Sequence, residues 1–396
     1  MNTLLIYNAT VITPCRIIKD ASVLIEDGSI ASVSSGKPAG CSGWEEIDAQ
    51  GWYLSPGFID IHTHGGGGHD FMDGTLKAFL GAAEAHLAHG TTAIVPTTTS
   101  CDETEMVHIL QLFKTAKEQN NRGAKFLGLH LEGPYFSQEQ RGAQDIRYLR
   151  LPDREQYERI LAASDDIIRW SAAAELPGAM EFARCLRSYG ILPSIGHSNA
   201  MYHEVVEAFE NGFTHVTHLY SGTSGVRRIG LYRHGGVIES AFLIDGMTVE
   251  IIADGCHLPP ELLKLVYSIK GAEKIALVTD SMRGAGLSGG PSVLGSLHGG
   301  QSVIVEDGIA KLPDRSSFAG STATADRLVR TMVHQADVPL IDAVRMMSLT
   351  PAEIVGVSNS KGSITVGKDA DIVLFDENVC VKKVVLNGRL RYDSQD

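Results

Sequence analysis

Residues 57–64 read GFIDIHTH, an apolar run that ends in two histidines and leads directly into four glycines at residues 65–68. Seven more apolar runs follow, and segments with helical periodicity, such as 75–89, 178–189 and 200–211, lie between most of them. The seven runs are 93–97 (AIVPT), 126–132 (FLGLHLE), 168–175 (IRWSAAAE), 191–197 (ILPSIGH), 214–218 (THVTH), 249–254 (VEIIAD) and 275–280 (IALVTD). Roughly eight strand–helix units predict an α/β protein built on a (β/α)8 barrel, with a doubly wound open sheet as the less favoured alternative.

The two ends of the chain have a different pattern, in which short alternating runs are broken by Gly, Asp and Pro. This strand-and-turn pattern covers residues 1–52 and returns at 362–396, where Asn387-Gly388 is a hairpin-turn dipeptide. We therefore expect one small β domain built from both termini, residues 1–53 and 360–396, around a catalytic barrel at residues 54–359.

Composition and charge narrow the class of protein. The chain has 396 residues, a length that suits a large enzyme barrel with an added module. Its formal net charge is 34 − 47 = −13, which argues against nucleic acid or an anionic membrane as a partner because like charges repel. No apolar stretch approaches the ~18 residues of a membrane-spanning helix, and the first residues lack the pattern of a signal peptide.

The cysteines indicate a reducing compartment. They are scattered and contain no C-x-x-C pair, which in a chain of this length is typical of reduced thiols in a cytoplasmic protein. The six are Cys15, Cys41, Cys101, Cys185, Cys256 and Cys380. We therefore expect a cytoplasmic protein that contacts no membrane.

Most of the predicted barrel strands end in a residue that can bind a metal ion or transfer a proton, and catalytic groups of such barrels lie at the carboxyl ends of the strands. His62 and His64 are two residues apart, so their side chains point to the same side of the first strand. Imidazole nitrogens and carboxylate oxygens are common ligands of divalent ions. The predicted ligands of one or two such ions are His62, His64, Glu132, His197 and His218.

Two other histidines near these positions are not expected to be ligands. His130 shares the strand face of Glu132 but lies deeper in the barrel. His215 is three residues from His218, which predicts the opposite face of an extended strand.

Asp280 ends the eighth run, in LVTDS. A carboxylate beside a metal-bound water can take up the proton of that water and later return it to a leaving group. The metal supplies the other half of this chemistry by lowering the pKa of the water towards ~7. Asp280 is therefore the predicted general acid and base.

With these residues, the chain resembles the amidohydrolase superfamily and, within it, the N-acetylglucosamine-6-phosphate deacetylase family. The matching segments lie in family order and at family spacing over essentially the whole chain. They are SPGFIDIHTHG (55–65), GLHLEGPY (128–135), IGHSNA (195–200), THLYSG (217–222), IADGCHLPP (252–260), LVTDS (277–281) and FAGSTATADR (318–327). The resemblance implies a distorted TIM-like barrel of the metal-dependent hydrolase type, a small β-sandwich domain formed from both termini, and a homodimer.

The resemblance also implies roles for individual residues. Glu132, His197 and His218 would hold the principal metal ion. Asp280 would be the general acid and base, and His257 would contact the sugar. Some family members lack the first-strand histidines and use one ion, so the presence of both histidines here implies a chain able to hold two.

One departure from the family pattern lies in the segment RGAQ. Gln144 stands where some members have a histidine that polarises the substrate carbonyl. Glutamine can donate a hydrogen bond but carries no charge, and other members with two metal ions also have it. Ala143 and Gln144 are therefore candidates for substrate binding.

The second departure lies at residues 219–228 (LYSGTSGVRR), where the family usually has an Asn-Ala pair whose backbone helps to bind phosphate. Ser221 and Gly222 can offer backbone N–H groups to a phosphate instead. The family also has a phosphate-binding arginine in this loop. The candidates are Arg227, Arg228 and Arg233, and Arg228 is our choice among them.

The resemblance predicts hydrolytic deacetylation of N-acetyl-D-glucosamine 6-phosphate to D-glucosamine 6-phosphate and acetate, in amino-sugar catabolism. A metal-bound hydroxide would attack the acetyl carbon. Zinc is the first expectation for the metal, with iron and manganese as alternatives, because the mixed ligand set suits all three. Alternative substrates are N-acetylgalactosamine 6-phosphate or a non-phosphorylated acetylated sugar. A non-catalytic sugar-phosphate sensor is the remaining alternative, and Asp280 argues against it because a sensor needs no general acid.

Overall fold

The computed structural model describes residues 3–39 and 43–394, and its first elements are five strands of a terminal sheet. They are β1 (Thr3–Ile12), β2 (Ile17–Glu26), β3 (Ser29–Ser35), β4 (Glu45–Asp48) and β5 (Tyr53–Pro56). β1 pairs antiparallel with β2 and parallel with both β4 and β5. Leu4 lies opposite Ile25 and Ile6 lies opposite Val23 in one buried apolar cluster, which fixes the register of this pair.

The middle of the chain folds into the predicted barrel. In chain order its strands are β6 (Phe58–Thr63), β7 (Gly65–Gly66), β8 (His69–Asp70), β9 (Thr91–Thr98), β10 (Lys125–Phe126), β11 (Leu129–Glu132), β12 (Ile167–Ala172), β13 (Leu192–Ile195), β14 (His215–Val216), β15 (Arg227–Ile229), β16 (Tyr232–His234), β17 (Thr248–Ile251) and β18 (Ile275–Leu277). β7–β8 and β15–β16 are hairpins. The others form one parallel sheet in the order β10-β9-β11-β12-β13-β14-β17-β18, with β6 also on β9. β10 and β11 both pair with β9 and act as one interrupted strand.

The first and last strands of this sheet meet through the loops at their carboxyl ends. The Asp280 N–H donates to the His62 carbonyl at 2.9 Å, and the His64 N–H donates to the Ser281 carbonyl at 2.8 Å. The sheet is therefore a nearly closed barrel, and the (β/α)8 prediction is confirmed. The join also brings Asp280 beside the first-strand histidines.

Helices cover the outside of the barrel. They are α1 (Leu76–Ala88), α2 (Glu103–Gln119), α3 (Arg154–Ala163), α4 (Ala179–Ser188), α5 (Tyr202–Glu210), α6 (Val237–Leu243), α7 (Pro260–Lys270), α8 (Ala325–His334), α9 (Leu340–Met346) and α10 (Leu349–Ile354). Short 3₁₀ helices lie at Phe71–Asp73 and Gln138–Gln140. Large side chains such as Phe79, Trp170 and Phe182 are fully buried in the main apolar cluster of the barrel. Close packing of this kind holds the strand ends, and the side chains on them, in fixed positions.

An antiparallel sheet of four strands follows the last barrel strand, and no sequence pattern had predicted it. Its strands are β19 (Gly290–Leu294), β20 (Gln301–Glu306), β21 (Ile309–Lys311) and β22 (Phe318–Ser321), paired in chain order. The Ser321 N–H donates to the Asp280 carbonyl at 2.8 Å. This hydrogen bond attaches the small sheet to the barrel at Asp280.

The last three strands return to the terminal sheet. They are β23 (Ile372–Phe375), β24 (Val381–Leu386) and β25 (Arg389–Asp393). β23 pairs antiparallel with β5, which completes a mixed sheet of eight strands from both ends of the chain. Asn387 and Gly388 both have positive φ, 51° and 67°, in the turn that joins β24 to β25, as the dipeptide predicts. The exact domain boundaries stay a prediction, since β5 continues this sheet to Pro56.

Two further expectations concern cysteines and membranes. Five cysteines, Cys15, Cys101, Cys185, Cys256 and Cys380, are free thiols, and Cys41 lies outside the described residues. Among residues 3–39 and 43–394, no helix has the length and apolar character needed to cross a bilayer.

A buried ion pair links the segment after α10 to the terminal sheet. The Lys361 ammonium donates to Asp369 at 2.7 Å and to Asp371 at 2.5 Å. Lys361 and Asp371 are 8% and 6% exposed. Burial would lower the pKa of Lys361, but the two carboxylates raise it above its usual value. The other Asp371 oxygen accepts from the Asn387 N–H at 2.9 Å, so the pair also supports the β24–β25 turn.

Replacing Lys361 with Met should lower the free energy of unfolding by about 3 kcal/mol, because the buried Asp371 carboxylate loses the cation that donates to it and keeps only the Lys125 ammonium, 3.8 Å away. Lys117→Met is the matched control, since Lys117 pairs with Asp166 at 2.8 Å while 44% of its side chain is exposed. The control should change the free energy by less than about 1 kcal/mol. Urea unfolding followed by circular dichroism measures both, and equal changes would contradict the role given to Lys361.

Candidate metal and catalytic centre

The Glu132 carboxylate is the centre around which the predicted ligands assemble. Glu132 is the last residue of β11 and is 2% exposed. Its two oxygens face the Nε2 atoms of four histidines from three other strand ends. The distances are 2.9 Å to His218, 3.3 Å to His197, 3.4 Å to His64 and 3.5 Å to His62.

The five predicted ligands form two groups that share Glu132. One group is His62, His64 and Glu132, and the other is Glu132, His197 and His218. In each group the three ligand atoms lie within 4.8 Å of one another, and all five residues are buried. Because Glu132 is common to both groups, the five residues form one continuous cluster of possible metal ligands.

The charge of the centre fits a divalent cation. The His62 Nε2 atom is buried without a hydrogen-bond partner and lies 3.5 Å from oxygens of both Glu132 and Asp280. Burial would lower the pKa of His218, but Glu132 and Asp280 raise it to about 9. The same two carboxylates raise the pKa of His64 well above its usual value, against the effect of burial. The two carboxylates therefore draw positive charge into the site.

Asp280 lies on the open side of this centre. Its Oδ1 atom is 3.1 Å from His64 Nε2 and 3.5 Å from His62 Nε2. Burial would raise the pKa of Asp280, but the neighbouring histidines hold it below its usual value. Asp280 is therefore a carboxylate that touches the ligand cluster and borders the cavity, the position required of a proton acceptor.

Three of the predicted ligand and catalytic residues have left-handed backbone. The φ angles are 47° at His197, 28° at His218 and 44° at Asp280. Such conformations cost about 1–3 kcal/mol each and cluster at functional sites. Each residue lies just after its strand ends, so the left-handed turn directs its side chain over the mouth of the barrel.

This backbone geometry also changes the reason for excluding His215. β14 ends at Val216, so strand alternation does not extend to His218. The His215 Nδ1 atom lies 2.7 Å from Thr248 Oγ1, and its Nε2 atom lies 3.5 Å from Glu250. His215 is therefore directed at Glu250 and lies outside the two ligand groups.

His130 lies deeper in the barrel, as expected. Its Nε2 atom is 2.7 Å from Ser171 Oγ and its Nδ1 atom is 3.3 Å from Thr97 Oγ1. Its ring packs edge-on against His62, with 4.7 Å between centroids. His130 therefore supports His62 by packing.

Gln144 is fixed at both ends of its amide. Its Oε1 atom accepts from the Ser100 N–H at 3.0 Å, and its Nε2 atom donates to Glu132 at 2.8 Å. The backbone donor at Ser100 requires the carbonyl on that side, which assigns the amide orientation. One of the two Nε2 hydrogens is used by Glu132, so the second is available to a ligand.

His257 is held by an aspartate of the same loop. Its Nδ1 atom lies 2.8 Å from Asp254, which also accepts the His257 backbone N–H at 2.8 Å. The ring packs edge-on against Phe318 with 5.0 Å between centroids. Asp254 thus fixes the ring and leaves Nε2 to face the cavity.

A cavity of about 290 Å³ opens above the ligand cluster. It is lined by His64, Thr99, Glu132, Gly142, Ala143, Gln144, His197, His218, Tyr220, Ser221, Gly222, His257, Asp280, Leu294, Ser317, Phe318 and Gly320. Ala143, Ser221 and Gly222 therefore border the same space as the ligands. Arg228 does not line the cavity. It is exposed in β15 and donates to the Gly230 carbonyl at 2.8 Å, so no contact within this chain supports its phosphate role.

Several residues of the site were not predicted. Leu294 and Phe318 come from the four-stranded sheet, which was not predicted, although Asp307-Gly308 between the apolar runs of residues 303–305 and 309–310 was an available hairpin signal. Arg169 and Glu250 are fully buried beneath the ligands. Each is a charged residue inside an apolar run, in IIRWSA and TVEI. A charged residue within a buried strand was the sequence signal that could have identified them.

Comparisons with known proteins give one consistent result. A model described as the amidohydrolase family matches residues 53–391. The N-acetylglucosamine-6-phosphate deacetylase of Bacillus subtilis is 33% identical over 100% of this chain and 98% of that protein. The N-acetylgalactosamine-6-phosphate deacetylase of Escherichia coli O157:H7 is 30% identical over 94% of this chain and 95% of that protein. The crystal structure of N-acetylglucosamine-6-phosphate deacetylase from Pasteurella multocida has a TM-score of 0.91 at 28% identity, covering 99% of this chain and 100% of that chain.

Replacing Gly222 with Ala should weaken metal binding by His197 by at least about tenfold. A Cβ at residue 222 would lie 2.7 Å from the Gln140 carbonyl oxygen and 2.8 Å from His197 Nδ1, and that carbonyl is the partner of the His197 ring at 2.8 Å. Displacing a partner of a metal-binding histidine typically costs 10–100-fold in metal affinity.

Gly230→Ala is the matched control for this prediction. Gly230 has a φ of 60°, close to the 55° of Gly222, but no heavy atom lies within 4 Å of its added Cβ. Both variants therefore carry the same backbone strain, and only Gly222→Ala carries the clash. Bound metal per chain, measured by elemental analysis, should fall in the first variant alone. Equal metal content in both would contradict the contact.

Proposed function

This chain belongs to the amidohydrolase family and, within it, to the N-acetylglucosamine-6-phosphate deacetylase family, and we propose that it hydrolyses the acetamide bond of N-acetyl-D-glucosamine 6-phosphate. The products are D-glucosamine 6-phosphate and acetate. The observation that carries the proposal is the shared Glu132 carboxylate between two histidine groups, with Asp280 3.1 Å from His64 at the edge of a cavity. That arrangement suits the attack of water on an amide carbonyl.

We propose that His62, His64, Glu132, His197 and His218 hold one or two divalent ions. A bound ion would polarise the acetyl carbonyl and lower the pKa of a water molecule. Zinc fits nitrogen-rich ligand sets with one carboxylate, and iron and manganese remain the alternatives. Because Glu132 belongs to both groups, its removal should affect both ions, whereas removal of His62 or His197 should affect one.

Asp280 is the proposed general acid and base. Its carboxylate takes a proton from the attacking water as the oxygen–carbon bond forms. It then gives that proton to the amine nitrogen as the carbon–nitrogen bond breaks, so that the amine leaves in neutral form. The neighbouring histidines hold the pKa of Asp280 below its usual value, which favours the ionised form that can accept a proton.

Gln144 and His257 are proposed to orient the substrate. The free Nε2 hydrogen of Gln144 can donate to the acetyl oxygen, where negative charge develops during attack. Because Ser100 and Glu132 already hold the amide, that donor needs no reorganisation. His257, fixed by Asp254 at 2.8 Å, offers Nε2 to a hydroxyl group of the sugar.

The phosphate is proposed to lie towards Ser221 and Gly222. The Ser221 N–H is not the anion donor expected from the sequence, because it donates to the His218 carbonyl at 2.9 Å. The proposed donors are therefore the Gly222 N–H and the Ser221 hydroxyl. Arg228 stays a proposed phosphate contact with no support inside one chain. We also propose a homodimer that acts in the cytoplasm. The family resemblance supports the dimer, and the free thiols of the described cysteines are compatible with a reducing compartment.

N-acetylgalactosamine 6-phosphate is the second candidate substrate, because a relative with that named activity is 30% identical over 94% of this chain. A comparison of kcat/KM for both phosphorylated sugars and for unphosphorylated N-acetylglucosamine, measured as acetate release, separates these alternatives. We expect N-acetylglucosamine 6-phosphate to have the highest value. Absence of acetate release from all three would favour a non-catalytic sensor and contradict the proposal.

Asp280→Asn should lower kcat by at least about 100-fold, the usual contribution of a positioned general acid and base, while metal content stays close to that of the unchanged chain. Asp326→Asn is the control, because Asp326 is similarly buried, 9% against 8% exposed, but lies in α8. The control should keep its activity. Retention of more than a few per cent of activity by Asp280→Asn would remove Asp280 from the mechanism.

A further inference from the structure

An ion pair lies inside the barrel, directly below the ligand cluster. Arg169 of β12 and Glu250 of β17 are both 0% exposed, and the guanidinium Nη1 donates to Glu250 Oε1. A buried ion pair is expensive in desolvation, and apolar side chains of similar volume often stabilise a fold equally well. Its presence here therefore calls for a role other than stability.

Glu250 contacts both ligand groups from below. Its second oxygen, Oε2, lies 3.1 Å from His62 Nδ1 and accepts the His218 backbone N–H at 3.2 Å. His62 belongs to one group and His218 to the other. The bond to His218 also supports a residue whose left-handed backbone, with φ 28°, is strained.

Arg169 also contacts the residues that precede two of the ligand histidines. Besides Glu250, its guanidinium donates to the Ile61 carbonyl at 3.3 Å and to Thr217 Oγ1 at 2.8 Å. Ile61 and Thr217 directly precede His62 and His218. Arg169 is therefore hydrogen-bonded to the residue that precedes one histidine of each group.

The contact with Glu250 selects the tautomer of His62. A neutral imidazole has one N–H and one free lone pair. A carboxylate at Nδ1 keeps the proton there and leaves the Nε2 lone pair facing Glu132, where Nε2 has no hydrogen-bond partner. A carboxylate behind a ligand histidine also makes the ring more basic.

The other ligand histidines have weaker partners. His64 Nδ1 lies 3.2 Å from the Thr97 carbonyl, and His197 Nδ1 lies 2.8 Å from the Gln140 carbonyl. His218 Nδ1 has no partner in the described part of the chain. Within the described ranges, His62 is therefore the ligand that a carboxylate orients.

We propose that Arg169 and Glu250 are positioning residues that give the His62–His64–Glu132 group its affinity for a second divalent ion. This inference rests on the proposed two-ion centre and names the residues that equip the barrel for the second ion. It concerns the ion number rather than the identity of the substrate. The Glu132–His197–His218 group depends less on the pair, because Glu250 meets His218 at its backbone N–H and contacts a ligand ring at His62.

Two variants test the role. Glu250→Gln keeps the size of the side chain but removes the charge behind His62. The double variant Arg169→Met/Glu250→Leu removes both charges, so that no buried charge is left unpaired and the barrel can fold. The control is Lys361→Met/Asp371→Leu, which removes a buried ion pair of the terminal sheet, far along the chain from the ligands.

Zinc ion titrated into the chelator-treated full chain by calorimetry measures the affinity of each site, and elemental analysis gives the ions retained per chain. The unchanged chain and the control should bind two ions. Both Glu250 variants should bind the second ion about 10- to 100-fold more weakly, with the first site changed by less than about threefold.

Other outcomes overturn the inference. Two sites of unchanged affinity in a folded variant would remove any positioning role, and a single site in the unchanged chain would remove the second ion itself. Loss of fold in both variants would make the pair a stability element. Acetate release by the unchanged chain tests the deacetylase proposal separately, so either proposal can fail without the other.

Discussion

The barrel holds three carboxylates in their ionised form although all three are buried. The rest of the site depends on the cations that offset this burial. Glu132, Glu250 and Asp280 all have pKa values below their usual range although burial would raise them. Imidazole groups oppose the burial of Glu132 and Asp280, and the Arg169 guanidinium does so for Glu250. A nearby carboxyl group without a cation, that of Asp60, instead has its pKa raised by burial to about 7. The cations and carboxylates are therefore arranged in two layers, a lower ion pair and an upper ligand cluster.

The upper ligand cluster can take part in catalysis because a metal ion can replace the positive charge of its protonated histidines. A protonated histidine can lose a proton to solvent and then bind a divalent ion through the freed nitrogen lone pair, whereas an arginine cannot be deprotonated. The lower pair is therefore a permanent part of the barrel, and the upper cluster is a site that a metal ion completes. Near closure of the barrel adds the last component, because the bonds between Asp280 and the first strand bring a proton acceptor to the edge of the ligand cluster.

Much of the fold and of the ligand set could be predicted from local pattern. Each of the eight apolar runs coincides with a barrel strand, because buried parallel strands have a continuous apolar signal. The ligand candidates were found because metal-binding residue types recur at strand ends. The exclusion of His215 used alternation beyond the point where alternation applies, since the strand ends at Val216. Arg228 was assigned because the resembled family has a phosphate-binding arginine in this loop, and in the structure it is exposed in β15 and does not line the cavity above the ligands.

The sequence by itself determined which residue types stand at the strand ends and how many strands carry them, because both follow from periodicity over a few residues. Only the tertiary structure decided that one carboxylate, Glu132, is shared by two groups, that the Gln144 amide is held between Ser100 and Glu132, and that Glu250 lies beside His62 Nδ1. His62 and Glu250 are separated by 188 positions in the chain. Such a contact is made when burial of apolar surface closes the barrel, and the pairing of two distant segments leaves no pattern in either segment alone.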